Sequence, residues 1–206
     1  MQHNGEAYAL KIFKYQDYLD GYEDYFASLS GMEQERALKY RFDFHKQRYV
    51  IAHGYVRSWL QDQNIDSSLL GYRQSGKFDF TAGEHHLSLS YSKDYIALAC
   101  ALQPLGVDIE VASSHSDQEG LVRMIMSESE WRQYQQQKDA KEKQQWFYRC
   151  WTHKEAYLKK TQEGLSRDLK TIDTYSQKLA FSVQKPYDLD ENIFIALAGD
   201  NLDGQS

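Results

Sequence analysis

The stretch PLGVDIEVA, residues 104–112, places two acidic side chains inside an apolar run. Its β-branched residues predict a buried strand, and buried strands normally exclude acids. Asp108 and Glu110 stand two positions apart, so they share one face of that strand. Val107 and Ile109 then point to the other face, into the core. Two neighbouring carboxylates repel each other, which raises the pKa of each.

The acidic pair has two interpretations. A divalent cation between the carboxylates would remove the repulsion, and hard oxygen ligands suit Mg²⁺ or Mn²⁺. Alternatively, the strand end emerges into solvent and both acids are simply exposed. The spacing alone leaves both interpretations open.

The pattern on either side of this strand predicts an α+β fold whose element order partly repeats. Residues 8–15 (YALKIFKY) alternate like a strand, residues 18–60 are helical in pattern, and three short strands follow. After Pro104, helices are predicted over residues 119–137 and 142–161, followed by the strands AFSVQK and NIFIALAG. We therefore expect two similar α+β halves, residues 1–103 and 104–199, with a disordered tail over 200–206.

Charge and composition narrow the function classes. The 206 residues carry a net charge of −6, which argues against bulk nucleic-acid binding. From Arg36 to Arg57, however, the sequence contains six basic residues and only one acidic residue. This basic segment is either a local anion site or a solvated helix face.

Cellular location is predicted from two further features. The two cysteines, Cys100 and Cys150, lie in apolar surroundings and are expected to be buried free thiols. No apolar run approaches the length of a membrane span, and the N-terminus lacks the pattern of a signal peptide. We therefore expect a cytoplasmic protein.

Two further motifs carry polar chemistry. In WTHKEAYLKK, residues 151–160, Trp151, Glu155 and Lys159 share a helix face, with Lys154 at its flank. A surface Glu–Lys pair, worth a few tenths of a kcal/mol, is the alternative. In HLSLSYS, residues 86–92, three alternating serines share one strand face, which either lines a polar pocket or faces solvent.

The ordered pair GVDIE and WTHKEAYLKK resembles the signature of the Sfp-type 4′-phosphopantetheinyl transferases. The likeness extends upstream to RYVIAHGYVR, to GKF and to HLSLSYS, and covers about residues 36–166. It implies a fold of two α+β halves in a pseudo-twofold arrangement. It also implies a monomeric transferase, of the holo-[acyl-carrier-protein] synthase type, with neither nucleic-acid nor membrane partners.

The resemblance further implies the reaction. The phosphopantetheine arm of coenzyme A would move to a serine of an apo acyl, peptidyl or aryl carrier protein, with Mg²⁺ (or Mn²⁺) as cofactor. Adenosine 3′,5′-bisphosphate would be released. The apolar segment LVRMIM, residues 121–126, either receives the carrier protein or packs in the core.

The resemblance assigns roles residue by residue. The metal ligands would be Asp108, Glu110 and Glu155. The catalytic residues would be Glu155, Lys159 beside the pyrophosphate, and Glu130, which would help to activate the attacking hydroxyl. The coenzyme A contacts would be Arg48, Lys77, Ser90, Tyr91 and Lys154.

Three positions depart from the family pattern. Tyr91 stands where the family has a histidine that contacts a phosphate, Phe78 replaces a proline, and Ser88 replaces an asparagine. One cationic contact to coenzyme A is therefore expected to be missing. Two alternatives remain: a catalytically weakened protein that binds coenzyme A or carriers, and an unrelated Mg²⁺-dependent phosphohydrolase. His115 is expected to be a loop residue.

Overall fold

The computed structural model describes residues 8–74, 76–113, 118–163, 167–175, 179, 181–182 and 192–200. Residue 115 and residues 201–206 of the predicted tail lie outside this part of the chain.

In the first part of the chain, one strand precedes three helices and four strands follow them. Strand β1 (Tyr8–Lys14) leads through a 3₁₀ turn into helices α1 (Tyr22–Ser28), α2 (Gly31–Leu38) and α3 (Asp43–Asp62). Four strands follow: β2 (Leu70–Tyr72), β3 (Phe78–Phe80), β4 (His86–Ser92) and β5 (Tyr95–Ala101).

The second part follows the same order of a strand, three helices and further strands. Strand β6 (Leu105–Val111) precedes helices α4 (Gln118–Ile125), α5 (Glu128–Gln136) and α6 (Ala140–Thr161), and strands β7 (Phe181–Ser182) and β8 (Ile193–Gly199) close it. The mixed helix and strand content confirms the predicted α+β class.

Two antiparallel three-stranded sheets form the framework, in the orders β1-β5-β4 and β6-β8-β7, beside a β2-β3 hairpin. The apolar sides of β5, β6 and β8 pack together in one cluster, in which Val107 and Ile109 are completely buried. Both side chains therefore anchor β6 in the core, as its alternating pattern predicts.

Serine caps mark the starts of two helices. The segment with a helical pattern, 18–60, contains a 3₁₀ turn and three helices, whereas the single helix predicted over 119–137 is corrected to two helices with a break before α5. Ser30 and Ser127 stand at these breaks, where their side chains cap α2 and α5 in boxes with Glu33 and Glu130. A serine that caps one helix interrupts the preceding one, because its backbone is extended.

Candidate active site

The two acids of β6 face a row of serines on β4. Ser90 Oγ donates to Asp108 Oδ1 at 2.8 Å, and Ser92 Oγ donates to Glu110 Oε2 at 2.8 Å. In the other direction, the backbone N–H of Val107 donates to Ser88 Oγ at 2.9 Å. The serine face of HLSLSYS is therefore neither a pocket wall alone nor a solvent-facing side, because it joins the two parts of the chain by side-chain hydrogen bonds.

Helix α6 lies against β6 at very short range, and Gly106 permits this approach. A Cβ atom at Gly106 would stand 2.0 Å from the carbonyl oxygen of Ala156 and 2.6 Å from the backbone nitrogen of Lys160. Real Cβ atoms essentially never approach other atoms so closely. The glycine that opens GVDIE therefore allows the helix of the second motif to bring its side chains beside the strand of the first.

Three side chains of α6 reach this strand face. Trp151 Nε1 donates to Glu110 Oε1 at 3.1 Å. Lys159 Nζ lies 2.6 Å from Asp108 Oδ1 and donates to Ser90 Oγ at 2.8 Å. Glu155 lies close enough to both acids for their charges to act on it. The two motifs, 45 positions apart between Glu110 and Glu155, therefore meet in one polar cluster.

Burial and neighbouring negative charge disfavour the ionised forms of Glu110 and Glu155. Burial first, and then the charges of Asp108 and Glu110, raise the pKa of Glu155 to about 6, although Lys159 acts in the opposite direction. Burial also raises the pKa of Glu110, against the hydrogen bond from Ser92. An added positive charge between these carboxylates would relieve the repulsion.

The donor set was compared with the needs of a divalent cation. Among the described residues, no three His, Cys, Asp or Glu side chains stand as a ready-made metal cluster. However, Asp108 Oδ2 and Glu155 Oε1 are buried carboxylate oxygens without a hydrogen-bond partner. Such oxygens are costly to bury unpaired and are the ligands that Mg²⁺ prefers. These two oxygens therefore fit a hard cation as ligands.

A cavity of about 360 Å³ opens beside the acidic cluster. Glu155 and Lys159 form one wall, and Arg36 and Lys77 contribute two further positive charges. An aromatic wall is formed by Tyr40, Tyr49, His53, Tyr72, Phe78 and Tyr91. A cationic and aromatic cavity of this kind suits a phosphorylated ligand with a flat ring.

Lys77 is placed by a buried carboxylate. Its Nζ lies 3.3 Å from Asp79 Oδ2 and donates to the carbonyl oxygen of Leu105 at 3.4 Å. Burial lowers the pKa of Lys77, although the charge of Asp79 acts in the opposite direction. The structure thus brings this predicted contact residue to the cavity.

The structure does not bring Arg48 into the cavity lining. Its guanidinium donates to the carbonyl oxygen of Lys93 at 2.7 Å and stands over the ring of Tyr91, 5.2 Å from the centroid. Arg36, twelve positions earlier, lines the cavity instead and stands 4.7 Å from the ring centroid of Tyr72. Because both arginines lie in the basic segment, their spacing alone could not distinguish them.

The expectation that Lys154 contacts coenzyme A is corrected. Its side chain is fully buried, and its Nζ lies 2.6 Å from Glu130 Oε2. The same ammonium group donates to three backbone carbonyl oxygens at 2.6–2.8 Å, those of Ile125, Leu169 and Ile172. An ammonium group has three hydrogens, so none is left for a bound phosphate.

The expected catalytic role of Glu130 is corrected for the same reason. One carboxylate oxygen accepts from the backbone N–H of Ser127 and binds Lys154, while the other accepts from the backbone and hydroxyl of Thr174. The residue is fully buried and has no place in the cavity lining. Glu130 caps helix α5 and forms an ion pair. The Ser-x-x-Glu spacing of residues 127–130 is typical of such a capping box.

His53, Tyr49 and Tyr72 were not predicted as site residues. His53 lines the cavity from helix α3, while Tyr49 and Tyr72 share a hydrogen bond between their hydroxyls at 2.8 Å. The cue was the four-residue spacing of Tyr49 and His53, which places both on one helix face.

Comparison with known proteins agrees with this site. The model of the 4′-phosphopantetheinyl transferase superfamily matches residues 104–196, which include both acidic motifs. The chain is similar to the 4′-phosphopantetheinyl transferase HetI of Nostoc sp., with 30% identity over 159 residues, or 70% of this chain and 64% of that protein. It is also similar to the 4′-phosphopantetheinyl transferase Sfp of Bacillus subtilis, with 28% identity over 158 residues, or 73% of this chain and 68% of that protein.

The matched segments thus span about two thirds of either relative. Both relatives bear the name of a 4′-phosphopantetheinyl transferase, and neither bears that of a holo-[acyl-carrier-protein] synthase. The narrower synthase type is therefore not supported by these two relatives. Residues 104–196, which hold both acidic motifs, therefore match the 4′-phosphopantetheinyl transferase superfamily, and the chain is similar to two proteins of that name.

Proposed function

We propose that this protein transfers the 4′-phosphopantetheine arm of coenzyme A to a serine hydroxyl of an apo carrier protein. Adenosine 3′,5′-bisphosphate is the second product. The observation that carries the proposal is the contact of the acidic cluster with the cationic cavity, since Glu155 and Lys159 belong to both. A cation site beside a phosphate-binding cavity is the arrangement that phosphoryl-type transfer requires.

The positive charges of the site are assigned to different parts of coenzyme A. Mg²⁺, the metal that we assign to Asp108, Glu110 and Glu155, would neutralise charge on the pyrophosphate during its cleavage. Arg36 and Lys77 would hold the phosphates of coenzyme A in the cavity. These cations favour a ligand with several negative charges over a neutral one.

Lys159 and Glu155 would act at the reacting atoms. Lys159 would leave Asp108 for the pyrophosphate and stabilise the negative charge that develops on the leaving group. Glu155, which lines the cavity, would accept the proton of the attacking serine. Ser90 would keep Asp108 oriented while Lys159 moves, because its hydroxyl already donates to the carboxylate.

Mg²⁺ in preference to other divalent cations, a monomeric state and a cytoplasmic location also belong to the proposal. Cys100 and Cys150 are both buried and free, which is compatible with a reducing compartment. No described helix has the length and apolar character needed to cross a bilayer.

The direct test is to incubate the protein with coenzyme A, Mg²⁺ and a panel of apo acyl and peptidyl carrier proteins, and then to weigh the carriers. A mass gain of one phosphopantetheinyl group on the carrier serine is expected. A chelator-treated reaction serves as the control. No mass gain on any carrier would overturn the proposal.

The departures at Tyr91, Phe78 and Ser88 favour one alternative, a weakened binding protein of the same fold. Calorimetry separates the two functions, because this alternative predicts coenzyme A binding without transfer. We favour the transferase, since Asp108, Glu110, Glu155 and Lys159 are all present in the sequence and the last two line the cavity.

A further inference from the structure

The aromatic wall of the cavity contains a buried histidine that no step of the proposed reaction uses. His53 is 1% exposed, and its ring lies 4.1 Å from the ring centroids of both Tyr49 and Phe78. Its two nitrogens have different partners: Nδ1 faces Glu33, and Nε2 faces the hydroxyl of Tyr91. The three residues form a line from the interior to the cavity.

The inner end of this line is an ionised carboxylate. Glu33 Oε1 lies 2.8 Å from His53 Nδ1 and 3.2 Å from an Arg57 nitrogen, while Ser30 donates twice to Oε2. Burial alone would raise the pKa of Glu33, but the hydrogen bonds from His53 and Ser30 and the charge of Arg57 outweigh it and lower the pKa to about 2. Glu33 is therefore an acceptor only.

The protonation of the histidine follows from that acceptor. Because Glu33 cannot donate, Nδ1 of His53 must carry the hydrogen between them. Burial lowers the pKa of His53, although the contact with Glu33 acts in the opposite direction. The lowered pKa favours the neutral ring. In the neutral ring with hydrogen on Nδ1, Nε2 is an acceptor.

The outer end of the line is the Tyr91 hydroxyl. It lies 3.4 Å from His53 Nε2, and an acceptor at that position takes the hydroxyl hydrogen. The Tyr91 oxygen is then left with lone pairs for anything in the cavity. It differs in this respect from a cationic side chain, which presents hydrogens to a phosphate.

We propose that Glu33 and His53 act as positioning residues that turn the Tyr91 hydroxyl inward, so that Tyr91 accepts a hydrogen bond from an uncharged amine, amide or hydroxyl of coenzyme A and not from its phosphates. The proposal rests on the proposed function and makes it more specific. The phosphates are left to Arg36, Lys77 and Lys159, the cations of the cavity wall.

Binding to ligand fragments tests this division. Coenzyme A, 3′-dephospho-coenzyme A, adenosine and pantetheine are titrated against the wild type and Tyr91→Phe, with competition against coenzyme A for the two weak ligands. Tyr91→Phe should weaken coenzyme A and its dephospho form equally, by about threefold to tenfold. It should also weaken one of the two uncharged fragments. A loss confined to coenzyme A, or to phosphate-bearing ligands, overturns the proposal.

A matched pair of substitutions tests the role of His53. His53→Asn keeps an N–H near Nδ1 for Glu33 but loses the acceptor for Tyr91, whereas His53→Gln places an amide oxygen near Nε2. His53→Asn should therefore reproduce the loss seen in Tyr91→Phe, and His53→Gln should bind coenzyme A within about twofold of the wild type. If His53 served only to keep its contact with Glu33, His53→Asn would bind coenzyme A like the wild type and His53→Gln would show the loss.

Two further readouts keep the result interpretable. In the double variant Tyr91→Phe/His53→Asn, the losses should not add, because one hydrogen bond is removed twice. In steady-state kinetics, the weaker binding should raise KM for coenzyme A, while kcat stays within about twofold of the wild-type value. Wild-type protein that fails to bind coenzyme A overturns the proposed function and this inference together. Normal wild-type binding with additive losses overturns this inference alone.

Discussion

Lys159 and Asp108 form an ion pair at the point where the cation site and the cavity meet, with 2.6 Å between Nζ and Oδ1. Lys159 is about one quarter exposed and Asp108 is nearly buried. The lysine therefore holds one oxygen of the carboxylate whose other oxygen, Oδ2, has no hydrogen-bond partner and is the one that fits a metal ion. This single contact links metal binding to the position of the cation that we assign to the leaving group.

Lys159→Met should separate these two effects. With the competing ammonium group removed, Mn²⁺ binding without coenzyme A should tighten by about threefold to tenfold. Carrier modification should fall by on the order of 10²-fold, since the leaving group loses its cation. Calorimetry with Mn²⁺ and the mass assay measure the two. Lys160→Met, which affects only the pair with Asp200, is the matched control and should change neither. Weaker Mn²⁺ binding in Lys159→Met would contradict the competition.

Asp108→Asn should abolish most transfer while the fold is kept. The amide oxygen can still accept from Ser90, so the contact between β4 and β6 remains, but the charge for the metal is lost. We expect a loss on the order of 10²-fold or more in carrier modification and a melting temperature close to that of the wild type. Near-normal activity in chelator-treated buffer would contradict a metal role for Asp108.

The sequence predicted the two motifs of the site, but not how closely they pack. The α+β class, the inward Val107 and Ile109, and the shared face of the acids followed from period-2 and period-3.6 patterns. The bridging role of Ser90 did not, because strand alternation gives a face but not the partner opposite it. Likewise, nothing local to Lys154 distinguishes an ammonium group that is buried among carbonyl oxygens from one that reaches a ligand.

The buried pair of Lys154 and Glu130 should be costly to break. Lys154→Met leaves a buried, uncompensated carboxylate, so we expect a loss of about 3–5 kcal/mol in the free energy of unfolding. Chemical denaturation measures this loss. The exposed pair of Arg132 and Glu128 gives the control, since Arg132→Ala should cost less than about 0.5 kcal/mol. A Lys154→Met variant as stable as the wild type, with weakened coenzyme A binding, would restore Lys154 as a ligand contact.

His153 should make the fold less stable in mild acid. Burial and the nearby charge of Arg149 lower its pKa from 6.5 to about 4, against the charge of Glu130. Because the folded value lies below the unfolded one, the unfolded state binds more protons between these pH values. Stability is therefore fully present above pH 6.5 and falls as the pH decreases toward 4, by on the order of 3 kcal/mol.

The check is a series of urea titrations from pH 7.5 to pH 4.5 on the wild type and His153→Gln. The variant should lose much of the pH slope across this window, since the titrating ring is absent. His45→Gln, which removes an imidazole from helix α3, is the matched control substitution. An unchanged slope in His153→Gln would exclude His153 as its source.

Gly106→Ala should disrupt the site by displacing a helix. The new Cβ would meet the backbone of α6, at Ala156 and Lys160, where no flexible side chain can move aside. We expect a loss of about 3 kcal/mol or more in the free energy of unfolding, as for severe overpacking. Transfer should fall with it, because Glu155 and Lys159 lie on the displaced turn. Gly120→Ala, in helix α4 with open space around the position, should instead stabilise by about 0.5–1 kcal/mol. Equal effects of the two substitutions on the melting temperature would contradict the close approach of α6 to β6.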